Sequence, residues 1–210
     1  MLHLYHKFTR REEPKSFPRF HKELEQAFPV IRDEYLSFKR QMETEIRPID
    51  EISNDQAELN QDKKWKAAFL FAYNQENEKF LSFFSVLKSM VRRFPEIKLM
   101  MFSTLESGKH IPPHVGRNHA VYRLQLGIHI PFPDETELRV NQTRVQLKEG
   151  EIFIFDDTFE HEAINHGKAD RTVLIIDYEK QAIFPFNLLI KKYLRRISNS
   201  SYIQDAVKRW

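Results

Sequence analysis

All five glycines of this chain, at positions 108, 116, 127, 150 and 167, fall in one window, so the residues best suited to tight chain reversal are confined to a single stretch. Turn-forming pairs punctuate the same region, at Ser107-Gly108, Asn118-His119, Pro133-Asp134, Asn141-Gln142, Glu149-Gly150 and His166-Gly167. Between them, Ile97 to Tyr178 divides into roughly eight short strand-like segments, an all-β core by spacing. Its sharpest strand is Arg123 to Ile130, where Leu124, Leu126, Ile128 and Ile130 alternate with Arg123, Gln125, Gly127 and His129. In a small barrel with a ligand in its lumen, the polar set points inward and the aliphatic set lies under a covering helix. Ile152 to Phe155 and Val173 to Ile176 are apolar on both faces and read as central strands.

The flanks have helical periodicity. Phe20, Leu24 and Phe28 recur after Pro18, and Ile31, Tyr35 and Phe38 continue after Pro29, which predicts two short helices. Phe80, Phe84, Leu87, Val91 and Phe94 form another stripe, with Lys79, Lys88 and Arg92 on other faces and Pro95 at its end, predicting a helix packed on a sheet. Ile49 to Lys64 reads as a polar loop and Trp65 to Tyr73 as a strand. Phe184 to Trp210 reads as a basic amphipathic helix with Leu189, Ile190, Tyr193, Leu194 and Ile197 on its apolar side.

With 210 residues, 41% hydrophobic, the chain fits one domain over 1–210: a helical part over 1–95, a β core over about 97–180 and the tail over 184–210. The absence of Cys excludes disulfides and thiolate metal sites. No apolar run reaches membrane-spanning length, so a cytoplasmic location is expected. A net charge of +3 without a concentrated Lys/Arg arm argues against a nucleic-acid partner.

The chemistry gathers around three residues. His114 follows Pro112-Pro113, which forces an extended approach and rules out a helical His110/His114 pair, and Gly116 leaves room beside its ring. His161 stands in the acidic run Phe155-Asp156-Asp157-Thr158-Phe159-Glu160-His161-Glu162, where a neighbouring carboxylate would orient its ring. Arg171 opens the next strand. Taken singly, these read as a loop histidine, a polar residue near a turn and a partner of Asp170 or Glu162. Taken together, two imidazoles and a fixed cation can hold Fe(II) and the distal carboxylate of a 2-oxo dicarboxylic acid. The carboxylate that usually completes such a metal site, two residues after the first histidine, is replaced by Gly116. His110, His119, His129 and His166 read as satisfied or solvent-facing, and His3, His6 and His21 as surface residues.

These motifs, with Phe102-Ser103, Gly108 to Gly116, Arg123-Leu124-Gln125-Leu126-Gly127, Glu149-Gly150-Glu151 and Arg171 to Asp177, resemble the aspartyl/asparaginyl β-hydroxylase family of Fe(II)- and 2-oxoglutarate-dependent oxygenases over residues 65 to 178. The resemblance implies a double-stranded β-helix, a cupin-like jelly roll of α+β class flanked by N-terminal helices and a C-terminal helix. It implies Fe(II) held by His114 and His161 alone, 2-oxoglutarate and O2 as cosubstrates, and glycine at position 116 with water filling the vacant site. It further implies Arg171 and Ser103 at the distal carboxylate of 2-oxoglutarate, and Arg123 near its metal-bound end or at an acidic substrate group. Gln125 stands where the family commonly has a histidine, and it can donate a hydrogen bond but carries no charge.

Substrates implied are an Asp/Asn-type residue in a peptide or amino acid, or a lipid acyl chain. The tail resembles that of the lipid A hydroxylase branch at Ile203-Gln204-Asp205-Ala206, and its basic residues suit peripheral contact with the inner face of a membrane, or packing on the barrel or a second subunit. Two rivals share the pattern: a halogenase admitting chloride beside Gly116, and a cupin-like binding module without catalysis.

Overall fold

A computed structural model describes residue 14 and residues 16–210, the side chain of Tyr202 excepted; His3 and His6 lie outside the described residues. Eight strands build the core: β4 (Ile97–Leu105), β5 (His110–His114), β6 (Val121–His129), β7 (Thr136–Val140), β8 (Thr143–Val145), β9 (Ile152–Phe155), β10 (His161–Asn165) and β11 (Arg171–Glu179). Preceding them are β1 (Arg47–Pro48), β2 (Trp65–Ala72) and β3 (Gln75–Glu76). One sheet runs β1-β2-β4-β11-β6-β9 with β3 on β2, and the other runs β5-β10-β7-β8. Every pairing is antiparallel. Counted from β4, the core strands lie in the order first, eighth, third, sixth in one sheet and second, seventh, fourth, fifth in the other. That interleaving is a jelly roll, the double-stranded β-helix expected.

Two apolar layers sandwich the larger sheet. On its outer face Leu70, Met100, Phe102, Leu124, Leu126, Ile128, Ile154, Leu174 and Ile176 pack against helix α1 (His21–Met42). On its inner face Trp65, Ala67, Met101, Leu105, Phe155, Val173 and Ile175 meet Ile111, Leu138, Val140 and Ala163 of the smaller sheet. Alternation along β6 thus sends Leu124, Leu126 and Ile128 beneath α1, as their spacing predicts. Ile130 departs from that row and joins the inner layer. The β6–β11 pairing shifts register between Thr172 and Val173, and such a bulge turns the following residues to the other face.

Three expectations for the N-terminal flank are corrected. The two predicted N-terminal helices are one, with the exposed Pro29 inside it. Proline in a helix interior costs about 3 kcal/mol. Burial of Leu24, Ile31, Tyr35 and Phe38 along one stripe, at about 1.5–3 kcal/mol each, outweighs that cost. The stripe ending at Phe94 is two helices, α3 (Glu78–Leu81) and α4 (Ser85–Arg93), after α2 (Ile49–Ile52); its Phe80, Phe84, Leu87 and Val91 are buried all the same. Residues 49–64 are not an open loop, because α2 and a 3-10 turn (Asn54–Leu59) surround the buried Asn60. Its side-chain amide donates to Asp50 Oδ1 at 2.7 Å and to Trp65 O at 2.9 Å, and its Oδ1 accepts from Trp65 N at 2.8 Å.

Strand β9, expected to be central, is an edge strand paired only with β6. Its two apolar faces are nonetheless real: Ile152 and Ile154 meet the helical layer, while Phe153 and Phe155 meet the lumen. The tail breaks at Asn199 into α5 (Phe186–Ser198) and α6 (Ser201–Val207), where Ser200 caps the second helix. Ile190, Leu194 and Ile203 are buried against Ala72, Tyr73, Ala120 and Val121, so the apolar side of the tail packs on its own barrel.

Gly127 lets the turn after β8 rest on β6. Gly127 N donates to Glu151 O and Gly150 N donates to Gly127 O, and a Cβ at position 127 would stand 2.1 Å from the Lys148 carbonyl oxygen. Gly127→Ala is therefore expected to cost about 1–3 kcal/mol, read as a melting temperature lower by about 2–12 °C in a circular dichroism melt. An unchanged melt would mean that this turn is not held against the sheet.

Candidate active site

The lumen-facing positions of the larger sheet are set by alternation along three neighbouring strands: Ser103 on β4, Arg171 and Asp177 on β11, Arg123 and Gln125 on β6. Register places Ser103 opposite Val173, Gln125 opposite Ile175 and Arg123 opposite Asp177. From the smaller sheet, β5 ends at His114 and β10 begins at His161, and these two residues are paired directly. One hydrogen-bonding step of the jelly roll thus brings together two histidines that are far apart in sequence.

Their rings lie 4.2 Å apart, centroid to centroid. His114 Nδ1 bonds to Pro112 O at 2.8 Å and His161 Nδ1 to Phe159 O at 2.9 Å. A carbonyl only accepts, so each Nδ1 carries its hydrogen and each Nε2 keeps a free lone pair. Burial holds both rings below the usual imidazole range, His161 down to about 3, with His114 as the next cause there. Both are therefore neutral at pH 7. The orienting partner of His161 is this backbone carbonyl and not the expected carboxylate. Alternation turns Glu162 away from the lumen onto Arg139 and His110, and Glu160 also goes to Arg139.

A buried ion triad lies beside the imidazoles. Arg123 Nε and Nη2 each donate to Asp177 at 2.8 Å, and Nη1 stands 3.1 Å from Asp157 Oδ2. Burial pulls the guanidinium pKa down, but Asp157 and Asp177 outweigh it and leave it raised. Burial pushes the Asp177 carboxyl up against the pull of Arg123, and the bidentate geometry keeps the pair ionised. Asp157 Oδ1 is buried without a hydrogen-bond partner. It occupies the room beside Gly116: a Cβ built there would lie 2.0 Å from that oxygen. Nothing in the sequence distinguishes Asp157 from the other acids of its run, although it stands four residues before His161. Only the return of the loop, with Gly116 N donating to Asp157 O at 2.7 Å, brings it to this position.

Arg171 is the second cation of the lumen and its situation is opposite. It is 3% exposed, its Nη2 donates to Gln125 Oε1 at 3.3 Å, and its Nε is buried without a partner. Neither Asp170 nor Glu162 serves it, since Asp170 pairs with Lys39 and Glu162 with Arg139. Burial alone draws its pKa down to about 10, so it remains charged at neutral pH. Ser103 Oγ accepts from Trp65 Nε1 at 2.9 Å. Gln125 stands between the two cations, next to Arg123 on the same strand face at a spacing of about 7 Å and bonded to Arg171. Phe153, Phe155 and Phe159 belong to the apolar lining. His110 and His166 are solvent-facing and His129 is half-buried near Glu149.

Among the described residues no three His, Asp or Glu side chains gather as a metal site, which leaves a two-histidine pocket inside a double-stranded β-helix. The sequence profile of the aspartyl/asparaginyl β-hydroxylase family matches residues 25–181, and the chain belongs to that family. An ornithine lipid ester-linked acyl 2-hydroxylase of Rhizobium tropici is 35% identical over 159 residues, covering 75% of this chain and 56% of that protein. The human aspartyl/asparaginyl beta-hydroxylase is 28% identical over 161 residues, covering 74% of this chain and 20% of that protein. Among solved structures, the Cnp3 cupin domain of Schizosaccharomyces pombe aligns with TM-score 0.41 and 15% identity, over 62% of this chain and 71% of that one.

If the triad is a rigid wall of the pocket, Asp177→Asn removes half of a charged bidentate pair. The expected cost is about 2 kcal/mol, or about 4–8 °C in melting temperature. A variant melting with the parent would show that Asp157 alone suffices for Arg123.

Proposed function

We propose that this chain is an Fe(II)- and 2-oxoglutarate-dependent hydroxylase of unactivated C–H bonds. One observation carries the reading: two neutral imidazoles with free Nε2 atoms share a buried lumen with Arg171, a guanidinium that no carboxylate among the described residues neutralises. The donor set fits the metal, because imidazole nitrogen suits iron and both rings are held in the ligating tautomer. The unsatisfied cation fits the cosubstrate, because a buried charge calls for a counter-ion.

His114 and His161 would hold Fe(II). Arg171 would take the distal carboxylate of 2-oxoglutarate, aided by the Ser103 hydroxyl and the Gln125 amide. When bound with O2, iron and 2-oxoglutarate supply the oxidising power for hydroxylation, with succinate and CO2 as coproducts. The protein's part is positioning and dryness. Arg123, held on two sides by Asp177 and Asp157, presents its remaining N–H groups to the near carboxylate or to an acidic substrate group. Phe153, Phe155 and Phe159 keep water from the reacting bond.

Asp157 favours hydroxylation over halogenation. Its carboxylate fills the room beside Gly116, so a chloride entering there would meet a like charge. A non-catalytic binding module is less well supported, since nothing in such a role requires two imidazoles pinned with their Nε2 atoms free. The names of the two relatives support an acyl chain or an Asp/Asn-type residue as substrate. A cytoplasmic location goes with this reading, and among the described residues no helix is long and apolar enough to cross a membrane.

Purified protein is expected to convert 2-oxoglutarate to succinate only with Fe(II), and chelation with EDTA to abolish this. His161→Ala should reduce turnover to background, and Arg171→Ala should raise the KM for 2-oxoglutarate about 10- to 100-fold. Full succinate production by His161→Ala would overturn the ligand assignment.

A further inference from the structure

The most exposed large apolar side chains among the described residues are Ile183 at 75%, Phe184 at 75% and Phe17 at 69%. They do not scatter. Phe17 and Ile183 line the same open trough of about 1710 Å³, which runs between the N-terminal segment and α5. Phe184 follows Ile183, and Leu188, 53% exposed, stands in the first turn of α5. From Lys180 to Gln204 the sequence contains no Asp or Glu. Lys191, Lys192, Arg195 and Arg196 are all exposed on α5, and among the described residues none of them has an acidic partner. Elsewhere the surface cations are widely neutralised, as in Lys79–Glu45, Lys88–Glu78, Arg92–Glu76 and Arg139–Glu160.

Exposed aromatic and aliphatic side chains beside an unneutralised basic row suit an interface that is oily below and anionic at its surface. A basic protein ligand would meet repulsion here, and a purely apolar one would leave the cations unused. We propose that the face formed by Phe17, Ile183, Phe184 and Leu188 with the basic row of α5 docks on an anionic lipid bilayer. This is not the face that amphipathicity of the tail indicated, because Ile190 and Leu194 are already buried on the barrel. Docking would also orient the pocket. Tyr193 on α5 reaches Arg117 O at 3.4 Å, and Arg117 lies three residues beyond His114. Joined to the hydroxylase reading, on which this last step alone rests, the bound orientation favours a membrane-resident acyl chain over a soluble peptide.

The test is flotation of the purified chain, without iron or 2-oxoglutarate, with vesicles of phosphatidylcholine containing about one third phosphatidylglycerol, and with phosphatidylcholine alone. Binding is expected only to the anionic vesicles and should fall steeply as salt shortens the Debye length from about 10 Å to about 3 Å. The pair Lys191→Glu and Lys192→Glu should weaken partition about tenfold or more, as should the pair Ile183→Ser and Phe184→Ser, with melting temperatures unchanged. No binding, equal binding to both vesicles, or full binding by either folded variant would overturn the proposal. So would a dimer on gel filtration that the Ile183→Ser, Phe184→Ser pair dissolves, since the face would then join two copies. Succinate formation from 2-oxoglutarate is measured separately, so loss of docking and loss of the hydroxylase reading remain distinguishable.

Discussion

The constraint on which the site depends is the position of β11 between β4 and β6. Fixed in register with both neighbours, β11 sends Arg171, Val173, Ile175 and Asp177 into the lumen and Thr172, Leu174 and Ile176 toward the helices. A slip of one residue would bring the two charged side chains into the apolar layer under α1 and expel Leu174 and Ile176 from it. Burying those charges unpaired would cost several kcal/mol each. The hydrophobic layer therefore enforces the polar geometry opposite it, and the pocket needs no separate device to keep its residues aligned.

Within the lumen two guanidiniums on adjacent strands meet different fates. Arg123 is held by Asp177 and Asp157, a buried ion cluster whose cation is satisfied within the protein and which serves as wall. Arg171 has only an amide oxygen at 3.3 Å. The difference divides the pocket into a part settled within the protein and a part left electrostatically incomplete. A buried cation without a carboxylate partner is costly to hold and favours a counter-ion beside it. The neutral histidine pair, each ring pinned through Nδ1, keeps its two Nε2 lone pairs unengaged.

Much of this was legible in the sequence, and for identifiable reasons. Turn pairs and glycines are local signals, so the eight core strands could be placed, and the period of two in Leu124, Leu126 and Ile128 gave the burial of that face correctly. His114, His161 and Arg171 stood out because their chemical types are rare in apolar strand contexts. What escaped was long-range. Pro29 reads as a helix stop unless one knows that a sheet lies beneath both halves. Phe153 and Phe155 suggest a central strand unless one knows that a helix covers one side. Asp157 beside Gly116 is a contact across the jelly roll, and no spacing along the chain announces it.

Asn60 shows how far such coupling extends. It clamps both backbone groups of Trp65, the residue whose indole N–H is donated to Ser103 Oγ. With one lone pair of that hydroxyl taken by the indole, its own hydrogen is turned away from the indole. A polar residue in a segment outside the barrel thus limits the directions in which Ser103 can donate inside it.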